Sequence, residues 1–305
     1  MSAMWNKAKS GLQGGARPPA AVEITPEGVL AAALPGKNEP PVYAFAPLRP
    51  GALVPGIGEP NLRAPGAVAD AMRAVLGDVS PRTRAVTLVV PDTSVRVFVL
   101  DFDSLPANAA EAVPVLRFRL RKMVPFDVEH AGVSYQILSE DKTECRVLAA
   151  VLPGPILAEY ENAVRAAGYE PGVVLPSSLA ALAALETTEP VLAACLSGLS
   201  LTTSITSNQD LLLYRTLDLP EDPVQRLTEV QRDIAVAAAY FEDKLATRAR
   251  QLHYGGIGAA QDFARWIKDP ELNVVELTPR PTTGVTTTMG NISVAGIAGA
   301  LAGAR

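Results

Sequence analysis

Side chains suited to catalysis are few and widely spaced in this chain. The sequence holds two histidines, His130 and His253, and two cysteines, Cys145 and Cys195. The histidines lie far from the cysteines, so the sequence shows neither a metal-ligand spacing nor a Ser-His-Asp or Cys-His arrangement with supporting motifs. Both cysteines lie in apolar, strand-like segments, which predicts small buried side chains in a reducing compartment. We expect no disulfide and no metal centre.

Two acidic residues and one glycine-rich segment are the remaining candidates for chemistry. Asp101 and Asp103 lie near the end of a predicted strand, where a carboxylate can serve as a general base for water or a hydroxyl group. Such pairs are also common on protein surfaces. Gly255-Gly256-Ile257-Gly258 follows another predicted strand and is either a nucleotide-contacting turn or a simple strand-to-helix connection. We expect no catalytic residue and no enzymatic activity.

The charge distribution argues against nucleic acid as a partner. The net charge is -5 and the pI is about 5.2, so no overall positive field attracts a phosphate backbone. Basic residues concentrate at Arg117, Arg119, Arg121 and Lys122. Arg117 and Arg121 share one side of a predicted helix, which is either a solvated surface or a docking surface for an acidic partner.

No segment of the sequence predicts membrane insertion. Residues 1–17 contain Lys7, Lys9 and Arg17 but lack the continuous apolar region of a secretory signal. No run approaches the roughly 20 apolar residues that a spanning helix needs, and the C-terminal run 292–304 is short and rich in Gly and Ala. We therefore expect a cytoplasmic protein that reaches a membrane only through partners.

The hydrophobic periodicity divides the chain into two similar halves. In each half, two strands joined by a tight turn and a third strand precede a helix, which indicates an α/β protein in two lobes and an internal duplication. The predicted strands are 20–24, 29–34 and 42–45 in the first half and 191–196, 199–206 and 211–219 in the second. A helix with apolar residues three and four apart is predicted for 223–250 and is the longest in the chain.

This arrangement resembles the actin, sugar kinase and Hsp70 superfamily. The resemblance implies a bilobal actin-like fold, which is a duplicated RNase H-like fold, with an extra small α/β subdomain inserted. We expect a flexible leader at 1–19, a first lobe at 20–84 and 153–190, the inserted subdomain at 85–152 and a second lobe at 191–305.

A sharper resemblance lies in residues 116–127 and 133–138. A charged helix ends in Val124-Pro125-Phe126-Asp127 and leads into the strand Val133-Ser134-Tyr135-Gln136-Ile137-Leu138. On residue types alone, the first run is a helix stop with a core aromatic. In its ordered context it resembles the PilM proteins of type IV pilus assembly, as does the turn Gly168-Tyr169-Glu170-Pro171.

The PilM resemblance implies a cytosolic scaffold beneath the inner membrane. Such a protein binds the N-terminal peptide of a PilN-like membrane protein, connects indirectly to other platform proteins and motor ATPases, and allows for a homo-oligomer or ring. We expect the peptide groove beside the inserted subdomain. The partner-binding residues expected from the resemblance are Arg117, Arg121, Val124, Pro125 and Phe126.

The resemblance also implies an ATP site with Mg, but this sequence departs from it. The positions concerned are Glu23, Thr25, Ser197, Gly198, Gly255, Gly256 and Gly258. Thr25 replaces a glycine, Pro26 has no amide hydrogen to donate, and Glu27 repels phosphate. The second turn, Cys195-Leu196-Ser197-Gly198, has no carboxylate. We therefore expect degenerate nucleotide binding and at most a weak ATPase.

Three alternatives share the fold. The first is an ATP-binding actin-like switch, which requires Glu23 and the Gly255 loop to hold Mg-ATP. The second is the cytosolic lobe of a type II secretion platform protein, a class that usually continues into a membrane span. The third is a sugar or acetate kinase, which needs two phosphate-loop carboxylates and is disfavoured by Cys195.

Overall fold

The computed structural model describes residues 17–36, 39–58, 60–185, 187–208, 210–281, 284–285 and 292–304. Thirteen strands in this part of the chain form three sheets. The strands are β1 Ala20–Thr25, β2 Gly28–Ala33, β3 Val42–Pro47, β4 Ala85–Val90, β5 Arg96–Phe102, β6 Gly132–Glu140, β7 Cys145–Leu152, β8 Glu170–Pro176, β9 Val191–Ser197, β10 Ser200–Ser207, β11 Asp210–Asp218, β12 Gln251–Gly256 and β13 Asn273–Glu276. The α-helices are α1 Pro65–Val79, α2 Ala109–Leu120, α3 Gly154–Ala166, α4 Ser177–Leu182, α5 Pro223–Leu245, α6 Ala260–Ile267 and α7 Ala295–Ala302.

The two larger sheets have the same topology. Their strand orders are β3-β2-β1-β4-β8 and β11-β10-β9-β12-β13. In each sheet the first three strands pair antiparallel through hairpins. The next strand, β4 or β12, pairs in parallel with the first hairpin strand, β1 or β9, and the edge strand, β8 or β13, pairs in parallel with β4 or β12. This repeated order is that of the duplicated RNase H-like fold, so the predicted bilobal actin-like architecture is confirmed.

Each lobe has its own apolar core beneath its sheet. In the first lobe, Met72 and Leu76 of α1 and Tyr160 of α3 pack against the sheet. In the second lobe, Ile234 and Phe241 of α5 lie on the corresponding side. These helices carry their apolar residues three and four positions apart, which places one continuous side of each helix on the sheet.

The inserted subdomain is a three-stranded antiparallel sheet, β5-β7-β6, covered on one side by α2. Its predicted start at Ala85 is too early. β4 pairs with β1 on one side and with β8 on the other, and Val86–Val90 are buried. An apolar strand buried on both faces is typical of the centre of a parallel sheet. The inserted sheet therefore begins at Arg96, after a short 3₁₀ helix at Asp92–Ser94.

The C-terminal helix also lies elsewhere than predicted. The sequence predicts all of 191–305 in the second lobe, but Ile297 and Leu301 of α7 pack against Ala21 and Leu30 of the first sheet. A Cβ atom built on Gly299 would overlap the carbonyl oxygen of Ala180 in α4. The small residues of α7 permit this close helix contact, so α7 ties the end of the chain to the first lobe.

The predicted flexible leader at 1–19 lies outside the described residues, except for its last three. In the described ranges no helix is both long and apolar enough to cross a bilayer.

Candidate functional site

The candidate site is the cleft between the two lobes, where the first hairpin turns of the two large sheets face each other. We call it the interlobe cleft. It is lined by residues from both lobes and from the start of α7: Glu23, Thr25, Glu27, Asp92, Ser177, Ser178, Ala181, Cys195, Leu196, Ser197, Gly255, Gly256, Ile257, Ile292, Ser293, Ala295 and Gly296.

Glu23 lies at the bottom of the cleft and is held by the protein itself. The side chain leaves β1 and is 4% exposed. It accepts a hydrogen bond from Ser177 Oγ and another from the backbone N–H of Ile297, in the first turn of α7. Its second oxygen, Oε2, has no hydrogen-bond partner among the described residues. Burial raises the pKa of Glu23 to about 7, because the charged form loses its hydration.

Asp92 is a second buried carboxyl group and it bridges the lobes. It follows β4 at the first position of the 3₁₀ helix. Asp92 accepts from the backbone N–H of Ser178 at 3.1 Å, from Ser178 Oγ at 2.5 Å and from the Tyr214 hydroxyl of β11 at 3.3 Å. Burial raises its pKa. Because Tyr214 belongs to the second sheet, this carboxyl group connects the two lobes directly.

Cys195 stands in the second hairpin, where the resemblance places a carboxylate. Burial, together with the charge of Asp92, raises the pKa of Cys195 to about 12. The thiol is therefore neutral at physiological pH, which makes it a poor nucleophile, and sulfur is not a ligand that a Mg ion takes.

The two hairpin turns approach each other closely across the cleft. The Thr25 hydroxyl donates to the Gly28 carbonyl at 3.2 Å and accepts from the Gly28 N–H at 3.3 Å, which occupies this amide within the turn. Opposite, Gly198 has a φ of +54°, and a Cβ atom at this position would lie 3.6 Å from Pro26 Cγ. The cleft is partly open and retains about 40 Å³ of space for water-sized molecules, which is enough for a few of them.

The glycine-rich turn after β12 is fixed by its neighbours. A Cβ atom on Gly256 would lie 2.5 Å from the Leu196 carbonyl oxygen, so only glycine permits this approach of β12 to β9. The Tyr254 hydroxyl donates to the Ile257 carbonyl at 2.6 Å. Arg280 donates to the Gly258 carbonyl at 2.6 Å. The turn is therefore a well-bonded connection whose first two glycines reach the cleft.

The structure brings together most of the residues predicted for nucleotide binding. Glu23, Thr25, Ser197, Gly255 and Gly256 all line the cleft. Of the remaining two, Gly198 lies at the turn facing Pro26, and Gly258 is not among the lining residues.

Sequence reasoning missed Asp92, Ser177, Ser178 and the first turn of α7. Asp92 had a usable signal, since it directly follows a buried apolar strand, and ligand sites in α/β folds lie at the carboxyl ends of such strands. The pattern around the serines indicates only a possible helix cap. The described residues hold no cluster of three or more His, Cys, Asp or Glu side chains that could bind a metal ion.

The residues predicted for partner binding lie in the inserted subdomain, but several of them already bond to or pack against other parts of this subdomain. Arg117 donates to the carbonyl oxygens of Val128, Glu129 and Ala131, the last two at 3.1 and 3.0 Å. Arg121 pairs with Glu129. Arg117 and Arg121 therefore point together at the loop after α2, and Arg117 is half-buried with its guanidinium group engaged by backbone carbonyl groups.

The helix stop that follows has both buried and exposed members. Val124 is buried in the core of the inserted subdomain, and Phe126 packs partly against that core. Pro125 is exposed. Asp101, offered as a base, lies 3.6 Å from Arg146 on the inserted sheet, and neither it nor Asp103 lines the cleft.

Comparison with known proteins first identifies the class of fold. No family model matches the chain, and no curated protein is significantly similar to it in sequence. Solved structures match it over most of its length, and they share the actin-like fold with its two lobes.

Two of these structures are informative in detail. A chain of the "PilM-PilN type IV pilus biogenesis complex" is 17% identical, with a TM-score of 0.72 over 95% of this chain and 100% of that one. The cytoplasmic domain of EpsL, an inner-membrane component of the type II secretion system of Vibrio cholerae, is 13% identical, with a TM-score of 0.50 over 86% of this chain and 89% of that one.

Proposed function

We propose that this protein is a cytoplasmic scaffold of a type IV pilus machine, which binds the N-terminal peptide of a PilN-like membrane protein. The observation that carries the proposal is the structural likeness to the PilM-PilN chain. It extends over 95% of this chain, and so takes in both lobes and the inserted subdomain. The lower TM-score to the EpsL domain makes a type II secretion platform the second choice.

The interlobe cleft supports a scaffold rather than an ATPase. Three acidic residues line it. Glu23 is bonded to Ser177 and to the first turn of α7, Asp92 is bonded to Ser178 and Tyr214, and Glu27 lies in the first hairpin turn. The second hairpin offers the neutral thiol of Cys195 in place of a metal ligand. A Mg ion bound through nucleotide phosphates usually takes one or two carboxylates. The two buried carboxyl groups are engaged by the protein, and Glu27 in the turn would repel the phosphates. We propose that binding of Mg-ATP is lost or very weak and that the protein does not hydrolyse ATP.

The proposed peptide groove lies beside the inserted subdomain, on the side of the loop after α2. Arg121, Pro125 and Phe126 present exposed or partly exposed surface there, and Arg117 is half-buried and bonded to the loop. Through such a peptide the scaffold is held at the inner membrane, and it reaches other platform proteins and motor ATPases indirectly.

Titration calorimetry tests the proposal directly. A synthetic peptide with the sequence of the cytoplasmic N-terminus of the PilN-like protein from the same organism is titrated into the full chain. We expect saturable binding at one site, and Phe126→Ala should weaken it about tenfold or more, because a buried aromatic anchor dominates many peptide interfaces.

Arg121→Ala and Arg265→Ala form the matched pair for this experiment. Both arginines are exposed and ion-paired, with Glu129 and with Asp262 respectively, but Arg265 lies on α6 of the second lobe. Arg121→Ala should weaken peptide binding, and Arg265→Ala should leave it unchanged. Absence of binding to the folded wild-type chain would reject the proposal.

A further inference from the structure

Helix α2 has apolar side chains on two sides, although only one side faces a core. Ala112, Leu116 and Leu120 are buried against the inserted sheet. On the outer side, Phe118 is 66% exposed, and Val115 and Met123 are also exposed. A surface helix normally places polar residues opposite its buried side, so this second apolar side requires an explanation.

Cationic residues are interleaved with these apolar ones. Val115, Phe118, Arg119, Lys122 and Met123 follow at intervals of three, four, seven and eight positions from the first, which places them along one side of α2 and the turn after it. We call this set the exposed stripe. Lys122 Nζ lies 5.7 Å from the Phe118 ring centroid.

The charge of the exposed stripe is uncompensated. Arg117 and Arg121 are engaged by the loop after α2, but within the described ranges neither Arg119 nor Lys122 has an ion-pair partner. Glu111, one turn before Val115, is the acidic residue at the N-terminal end of the stripe. The chain as a whole carries a net charge of -5, so this surface differs in sign from the rest.

We propose that the exposed stripe is a contact surface for an anionic membrane. A stable protein interface takes about 20–30 residues a side, whereas the stripe provides five side chains. Peripheral membrane contact needs only a few cations at the headgroup level and apolar side chains that enter the interface. Because the chain carries a net charge of -5, a side with unpaired cations is the kind of surface that approaches anionic lipid most favourably.

The physiological part of this inference rests on the proposed function. A scaffold held by a membrane partner's peptide is kept close to lipid, and weak contacts then act at a high effective concentration. The inserted subdomain carries both the proposed groove and the exposed stripe, so the same end of the molecule would face the membrane.

Vesicle flotation with the full chain alone tests the stripe. The probe is vesicles of 70% phosphatidylcholine and 30% phosphatidylglycerol at low ionic strength, with pure phosphatidylcholine vesicles beside them. We expect the protein to float with the anionic vesicles, and salt to release it. Lys122→Gln should lower the partition coefficient about fivefold, the usual effect of one basic residue near an anionic surface. Phe118→Ser should lower it as well.

The chain offers a matched control for each variant. Lys244 lies 5.6 Å from the Tyr240 ring centroid on α5, in the same geometry as Lys122, and Val224 on that helix is 74% exposed. Lys244→Gln and Val224→Ser should leave flotation unchanged, and Glu111→Lys should strengthen it.

Several outcomes would overturn the proposal. One is flotation that is no greater with anionic than with neutral vesicles, and another is an equal loss of flotation in Lys122→Gln and Lys244→Gln. A third is that Phe118→Ser weakens only the binding of an acidic peptide such as polyglutamate, which would indicate a protein partner. Peptide titration is a separate measurement, so failure there with vesicle binding intact would reject only the scaffold proposal.

Discussion

At the scale of single residues, Glu23 is as buried as a core residue, yet it carries an ionisable carboxyl group. It is enclosed by β1, α4 and the first turn of α7, and two donors reach its carboxyl group while Oε2 has no partner among the described residues. An unpaired buried oxygen of this kind is costly when the group is ionised. The protonation state of Glu23 should therefore control part of the stability of the cleft.

Glu23→Gln isolates this contribution. The pKa of Glu23 is raised from 4.5 to about 7 in the folded protein, so the folded state binds more protons than the unfolded state between these values. Its contribution is thus fully present below pH 4.5 and is lost as the pH rises through 7. Glutamine keeps an acceptor for Ser177 and carries no charge. At pH 8 we expect the variant to have a free energy of unfolding higher by about 3 kcal/mol at most.

Urea unfolding of both proteins at pH 5 and pH 8 checks this. Asp92, whose pKa is also raised, adds a pH dependence of the same sign to both. The difference between the two proteins therefore reports Glu23 together with its charge interaction with Asp92. If wild type and variant differed equally at both pH values, the buried carboxyl group would not be protonated as described.

The site residues show what sequence can and cannot reveal. Glu23 was identified because the first hairpin aligned with a known pattern. Asp92 was not, because its function depends on Ser178 and Tyr214, which lie 86 and 122 positions away. Contacts between residues so far apart in the sequence depend on how the sheets are arranged, and no local sequence pattern predicts them.

At the scale of elements, turn residues between apolar runs predicted both hairpins, although their strands are buried almost throughout. Apolar residues three and four positions apart predicted the long helix. The sequence predicted that β4 and α7 exist but assigned them to the wrong part of the fold. β4 is a plain apolar run, which fits any buried sheet. α7 is built from Gly, Ala, Ile and Leu without a polar side, so its sequence does not indicate which lobe it covers.

Gly299→Ala tests the packing of α7 on α4. The added methyl group would meet the Ala180 carbonyl oxygen, and the helices would have to separate. We expect a loss of about 1–3 kcal/mol in the free energy of unfolding, the usual cost of overpacking. Gly77→Ala is the control, since a methyl group added at Gly77 in α1 would have no atom within 4 Å, and it should stabilise by about 0.5–1 kcal/mol. Chemical denaturation measures both, and equal effects would contradict the close contact.

At the scale of the whole molecule, several contacts hold the two lobes in one arrangement. Tyr214 reaches Asp92 across the cleft, and Arg96 of the inserted sheet pairs with Asp218 of β11 at 3.2 Å. The chain also returns to the first lobe through α7. A ligand that entered between the lobes would have to displace these contacts, and its binding free energy would be reduced by their cost.

Thermal unfolding with millimolar Mg-ATP therefore separates a scaffold from a nucleotide-dependent switch. A ligand present at 100 times its dissociation constant, and bound only to the folded state, adds about 2.7 kcal/mol. We expect no shift beyond that produced by Mg-tripolyphosphate, which carries similar charge without the nucleoside, because Glu23 is already bonded and Cys195 brings no charge. A shift specific to ATP that saturates with concentration would mean that the cleft opens and binds nucleotide. The protein would then be an ATP-binding switch with the same fold.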